Sequence, residues 1–400
     1  MTQHATPAPD GRRTTTLLVP FDTGHSFFLD PPRTSRRRDW WNDLAGDNAL
    51  GEDAKGASAW TTHLHCSNTR PSGPTGLIRF PAMIRMNPCP LGFGAKRVAP
   101  RSWRGDTRRS IAELPRSNQA AIEDLDWIDH LEGEPEVLCF TSGVGLLVMR
   151  TSVRQRVHED RDLHRVWRDC SRVLVEPWAA QCASDYVAWA QSRAGVRELT
   201  TVRRRGRFQA FSVDPLFFVD ELPELVECED LDFRGARMRF NWSEAYVAPQ
   251  DVLNRADIEA TFMAAVGAWY ALQRTDINIS RIAYDWLADQ SARRRPHTKL
   301  SDIEKARLAY EEVADAARPI RWTESTEYLA ALEKLLKAWN IRPHADAVKE
   351  RLSLLNTIHH QMEFRAQKRR ERRTQIVLGG VGLTIAFGQL ILDAVREWLF

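Results

Sequence analysis

The sequence predicts an α+β or α/β cytoplasmic domain, then a helical bundle or stalk, then one C-terminal transmembrane helix. Three observations predict it. Short apolar runs punctuated by glycine turns fill residues 14–255, apolar steps of three and four take over from Asp257, and Thr374–Leu392 carries no charge. Four hundred residues exceed one ordinary core and suit two domains, or one domain with a long helical appendage. The expected parts are a disordered leader at 1–13, the α/β domain at 14–255, the bundle or stalk at 256–373, the membrane helix at 374–392 and a short tail at 393–400.

The leader is polar and lacks the apolar core of a signal peptide, which places the main body in the cytoplasm. Thr14–Pro20 and His25–Leu29 read as short strands around the turn residues Asp22-Thr23-Gly24. Arg33–Thr107 shows no sustained period and reads as loops and short elements. Val137–Phe140 and Leu146–Met149 flank Thr141-Ser-Gly-Val-Gly145, the pattern of a β-hairpin with glycines supplying positive φ. Helices are expected near Val157–Cys170 and Ser184–Arg193, and strands over Phe208–Val219 and Arg237–Val247.

From Asp257 the stripe Ile258, Phe262, Ala265, Trp269, Leu272 marks a helix, and Ile279–Leu287 another. Three further segments share a heptad-like step. The first opens on a capping box, Ser301-x-x-Glu304, with Ile303, Ala306, Tyr310, Val313 and Ala317, and stops at Arg318-Pro319. The second carries Leu329, Leu332, Leu336 and Trp339 and ends before Pro343; the third carries Val348, Leu352, Leu355, His359 and Met362. Such steps hold one seam toward a partner, in a bundle folded on itself or in an intermolecular stalk.

The nineteen residues Thr374–Leu392 would form a helix of roughly 28 Å, close to the hydrocarbon thickness of a bilayer. Before them stand Arg365, Lys368, Arg369, Arg370, Arg372 and Arg373; after them come Asp393, Arg396 and Glu397. Positive charge marks the cytoplasmic side, so the body stays inside, at the inner membrane, and the basic cluster meets anionic headgroups. Gly380, Thr384 and Gly388, at four-residue spacing, offer a small-residue face to another helix, hence to a homo-oligomer. The alternative is a core helix at the chain end.

Net charge is +3, yet residues 1–120 hold 17 Lys/Arg against 10 Asp/Glu. The basic segments Arg33–Trp41, Arg101–Arg109 and Arg203–Arg207 mix Arg with aromatics, which serves nucleic acid or anionic lipid; the tail favours lipid or plain solvation over nucleic acid. Six cysteines without a CxxC pair read as reduced structural thiols. His63, His65 and Cys66 form the one cluster resembling a metal site, without the second ligand pair that zinc sites have. A divalent cation is the one cofactor such a cluster would admit, and no cofactor motif is evident. There is no P-loop, G-x-S-x-G or H-E-x-x-H, and Gly143-Val-Gly145 lacks the third glycine of a dinucleotide loop. His158, Asp160 and His164 fit a solvated helix face better than an acid/base or metal site.

The strand–Gly–strand run Glu136–Met149, and Lys349-Glu-Arg-Leu-Ser-Leu-Leu-Asn356 leading into the tail, resemble the CorA-like membrane proteins. The resemblance lies in the order of parts and covers about a third of the chain. It implies an oligomer whose cytoplasmic domain binds a ligand and acts through a stalk. The chain lacks the Gly-Met-Asn motif and the second membrane helix of the transporters, so magnesium conduction does not carry over. Two other functions remain open: a conduit or membrane-depolarising effector lined by Thr384 and Gln389, and an anchored enzyme whose site lies in residues 60–250.

Overall fold

The computed structural model describes residues 11–29, 114, 118–132, 135–140, 143–191, 196–198, 212–224, 228–233, 235–252, 255–291, 300–316 and 326–399, with short strands at 63–65, 83–86, 91–92 and 96–97. The strands are β1 (Arg12–Asp22), β2 (Phe27–Leu29), β3 (His63–His65), β4 (Met83–Met86), β5 (Leu91–Gly92), β6 (Lys96–Arg97), β7 (Glu136–Phe140), β8 (Val144–Arg154), β9 (Val196–Glu198), β10 (Asp214–Phe218), β11 (Glu229–Phe233), β12 (Ala236–Phe240) and β13 (Ala245–Ala248). The helices are α1 (Gln119–Glu123), α2 (Arg156–Glu159), α3 (Arg161–Gln191), α4 (Arg255–Ser291), α5 (Leu300–Ala316), α6 (Thr326–Ala338) and α7 (Ile341–Leu399); a 3-10 turn spans Leu125–His130.

Nine strands form one mixed sheet, ordered β11-β12-β13-β10-β1-β8-β7-β4-β3, in which only β10 and β13 run parallel. Central strand β1 is buried on both faces, so it reads as the unbroken run Leu-Leu-Val-Pro-Phe rather than as an alternation. Pro20 falls past the described pairing with β10, which covers Thr15–Leu18. Leu17, Val19 and Phe21 pack with Trp127, Trp167, Leu174 and Trp178 beneath α3. Leu18, Leu216 and Phe218 face the other way, onto Phe262, Leu272, Leu332 and Trp339 of the later helices. The expected hairpin is present: β7 pairs antiparallel with β8, Val137 opposite Leu147, and Gly143 takes φ +89° in the turn.

Several expectations need correction. The leader ends earlier than Arg13, because Arg12 and Arg13 already pair with Arg154 and Val153. The helices expected at 157–170 and 184–193 belong to one 31-residue helix, α3, preceded by the short α2. Its buried stripe of Trp167, Leu174, Trp178, Cys182 and Tyr186 runs past Pro177 without a break. Likewise α4 is continuous across the two segments read after Asp257. The strand expected over Arg237–Val247 is a hairpin, because the Asn241 side chain accepts hydrogen bonds from the backbone N–H groups of Ser243 (2.9 Å) and Glu244 (3.1 Å) and turns the chain. Phe208–Phe211, Arg318-Pro319, the basic segments 33–41, 101–109 and 203–207, and Cys66 lie outside the described residues.

α4 joins sheet and bundle. Its first half packs on the sheet, and Ile279, Ile282 and Trp286 of its second half pack with Ile303, Ala306 and Tyr310 of α5 and Val348, Leu352, Leu355 and Ile358 of α7. The seam residues Ile303, Ala306, Tyr310, Leu332, Leu336, Trp339, Val348, Leu352 and Leu355 thus close on the chain itself, whereas the side chains of Val313, Ala317 and Leu329 lie outside the described residues. Between α6 and α7, Asn340 takes φ +50°, a left-handed turn that asparagine tolerates, and Pro343 falls in the first turn of α7 rather than before it.

His158 and His164, expected on a solvated face, are buried instead. The His158 ring lies 4.2 Å from that of Phe217, and burial, with His164 and Arg13 nearby, pushes its pKa down to about 3. Burial also lowers His164, against the pull of Glu244, whose carboxylate stands 3.1 Å away. On β10, Asp214 is buried beside Ser212 and Tyr270, and desolvation raises its pKa to about 7. The two groups act in opposite senses. Between pH 3 and 6.5 the unfolded chain binds a proton that folded His158 refuses, so that histidine costs stability as pH falls. Between pH 3.8 and 7 folded Asp214 keeps a proton that the unfolded chain releases, so that carboxyl costs stability as pH rises.

Two predictions follow from this packing. A Cβ on Gly143 would stand 2.3 Å from the backbone oxygen of His25 and 2.5 Å from Arg274 Cζ, whereas one on Gly235, at a similar φ of +80°, would meet nothing. Gly143→Ala should therefore cost about 3 kcal/mol or more and Gly235→Ala about 1 kcal/mol, read from urea unfolding midpoints. Asp214→Asn should steepen the rise of stability from pH 4 to 6.5 by up to roughly 1.4 kcal/mol per pH unit, and His158→Gln should flatten it; equal slopes in all three proteins would refute the assignment.

Candidate functional site: the exposed apolar end of the last helix

The 59 residues of α7 form one unbroken helix about 88 Å long. Its root is fixed by aromatic groups. Trp339 Nε1 donates to the Asn241 carbonyl at 3.0 Å and the Trp339 ring meets Phe262 edge-on at 5.4 Å. Trp269 lies between Trp242 at 4.8 Å and His344 at 5.0 Å, so the β12–β13 turn, α4 and α7 meet at one point. Further along, Arg351 bonds Asp276, and Tyr310 donates to the Ala345 carbonyl at 3.3 Å. Ile358 is the last fully buried position and Met362 the last in contact with the bundle.

Beyond it α7 carries no buried residue among those described. Arg365, Lys368, Arg369, Arg370, Arg372 and Arg373 are all exposed. At about 100° per residue, all of them but Arg370 fall within roughly 140° of arc, and Gln367 and Glu371, joined by a 3.2 Å hydrogen bond, occupy the opposite side. The apolar run follows on the same helix. It is long and apolar enough to cross a membrane, and none of it is buried within the chain. Eleven of the eighteen large hydrophobic residues exposed among the described residues lie between Ile376 and Val395, a density that soluble surfaces avoid.

The small-residue face is open as well: a Cβ on Gly380 or Gly388 would meet nothing within 4 Å. Thr384 spends its hydroxyl inside the helix, donating to the Gly380 carbonyl at 2.8 Å. Thr384 and Gln389, expected to line one pore, stand about 140° apart and cannot face the same lumen. A different set does align. Gln375, Gly382 and Gln389 recur at steps of seven, so they keep to one side of the helix. That spacing is legible in the sequence, but its meaning depends on which side of α7 the bundle covers.

Of the expected metal cluster, His63 and His65 fall in β3 opposite Arg85 and Met83, while Cys66 lies outside the described residues. Among the described residues no group of three or more His, Cys, Asp and Glu is placed to hold a metal. The His359 side chain, expected on the seam, is also outside the description, and Ile358 fills the buried position beside it. Comparison with protein-family models, with characterised proteins and with solved structures gives no match for this chain.

Proposed function

We propose that this protein is a single-pass membrane-anchored oligomer whose sheet domain, held on the cytoplasmic side of the inner membrane, binds a ligand and acts on the membrane segment through α7. The observation that carries the reading is the wholly exposed apolar end of α7 directly after six basic residues. Burying that surface in lipid removes the largest apolar exposure on the chain, and the basic residues then lie at headgroup level on the cytoplasmic side. Anionic lipid, rather than nucleic acid, is the partner that such a juxtaposition serves.

A rigid connection supports the signalling part. Ligand binding in the sheet domain reaches the membrane through Trp339, Trp269 and the root of α7, because no loop interrupts the helix between Ile341 and the apolar run. What supports a CorA-like layout is the order of parts, a mixed sheet with helices on both faces, a helical bundle, then one long helix into the membrane. The layout is the whole of that likeness.

Among the described residues none after Met362 belongs to a buried cluster, so a protein ending at Arg365 retains every buried residue described. Membranes washed with alkaline carbonate should keep the full chain and release the shortened one. Release of both would show that the apolar helix meets a soluble partner instead of lipid.

A further inference from the structure

The bundle takes only one side of α7. Its buried residues Val348, Leu352, Leu355 and Ile358 define a face, and about 180° away runs a second line that nothing in the chain covers. Of the two large apolar residues of α7 exposed before the tail, Leu354 (49%) stands about 80° to one side of that second line, and Phe364 (65%) lies on it. So do Glu371, Gln375, Gly382 and Gln389, all exposed. Leu354, Gln375, Gly382 and Gln389 are separated by multiples of seven, and Phe364 and Glu371 repeat the same step three residues out of phase. A line kept by sevens drifts slowly around a straight helix and is straightened when two helices wind left-handedly about each other.

Within the apolar run the residues on this line differ from the rest. Gln375, Gly379, Gly382, Ala386 and Gln389 follow steps of four and three and are all polar or small. Ile376, Leu383 and Phe387 lie on the neighbouring side, above Arg365, Arg369 and Arg372. Bulky apolar groups and basic groups therefore share the side suited to lipid tails and headgroups. The amides of Gln375 and Gln389 have no hydrogen-bond partner among the described residues, and no second helix among them is long and apolar enough to supply one inside a bilayer. A glutamine carries both donor and acceptor, so the same residue of another copy completes it. Gly382, midway between them, lets two backbones approach. Outside the apolar run, Glu371 has Lys368 at the edge of the same line, a pairing of opposite charge available between neighbouring helices.

We infer that the side of α7 turned away from α4 and α5, marked by Phe364, Glu371, Gln375, Gly382 and Gln389, is the contact between copies of this chain. The contact runs from the bundle through the membrane segment, and it rests on the reading that this segment spans a membrane. It excludes the Gly380–Thr384–Gly388 face as the main contact, since that face lies on the opposite side of the helix.

Cysteine cross-linking of the full chain in native membranes tests it, with the unsubstituted chain as background for the natural cysteines. Gly382→Cys and Gln389→Cys should give disulfide-linked dimers about tenfold more efficiently than Gly380→Cys, Gly388→Cys or Leu383→Cys, and Gln375→Leu with Gln389→Leu should weaken association in detergent about tenfold. Preferential cross-linking at Gly380→Cys and Gly388→Cys would move the contact to the other face and overturn the inference. Carbonate-resistant protein that cross-links at none of these positions would also overturn it, while leaving the membrane anchor intact. Protein washed from the membrane would defeat the anchor itself, and the inference with it.

Discussion

The carboxylate of Glu259 is the constraint from which the later architecture follows. It is 2% exposed, under the first turns of α4, and it accepts from Arg150 at 2.9 Å, from Arg255 at 3.0 Å and from Thr16 at 2.5 Å. A buried carboxylate is tolerated only when charges and donors surround it, and here β1, β8 and α4 each provide one. The guanidinium of Arg255 also lies 4.5 Å over the Phe218 ring, drawing in β10. This sets the angle at which α4 leaves the sheet. A second tie, Arg274 to Asp22 at 2.7 Å, fixes α4 again further along its length. With two points held, the rest of α4 projects as a rigid beam, and α5 and α7 pack on whatever side of it remains apolar.

That geometry decides how α7 can be used. One face is consumed by α4 and α5, and the helix then continues past the end of the bundle with no change of direction. The described residues after Met362 are therefore surface, basic first and apolar next. A soluble protein would cover this surface or avoid making it. The proposed membrane anchor uses both halves in that order, and no loop interrupts the helix between them. The aromatic contact of Trp242, Trp269, Trp339 and His344 is where the sheet domain meets the root of α7.

Much of the fold was legible where local chemistry was decisive. The β7–β8 hairpin was readable because Gly143 and Gly145 sit between two apolar runs, and β1 because β-branched and aliphatic residues cluster there. Reading failed where packing overrode a local signal. The two expected helices left a gap over residues 171–183, yet the stripe from Trp167 to Tyr186 runs through it and buries enough apolar surface to offset the penalty of about 3 kcal/mol that Pro177 carries inside a helix. The β12–β13 turn was missed because one asparagine does the work normally signalled by glycine. Edge strand β11 was missed because its acidic residues, with Asp230 held by Arg239 at 2.7 Å, look like loop. His158 and His164 looked solvated because their charged neighbours occupy the same short stretch, and only the position of Phe217 and Tyr246 encloses them.

By itself the sequence determined the apolar end of α7, its basic approach and the heptad steps of the bundle, since each depends on residues adjacent in the chain and on the fixed pitch of a helix. It also determined that a seven-residue line joins Gln375, Gly382 and Gln389. Tertiary structure alone decided which side of α7 the bundle would occupy. That choice turns on Glu259 and Arg274, whose partners on the sheet lie more than a hundred residues away along the chain. No local period can encode a contact made at such separation, so the sequence supplied two candidate seams on one helix and the fold assigned one of them to the interior.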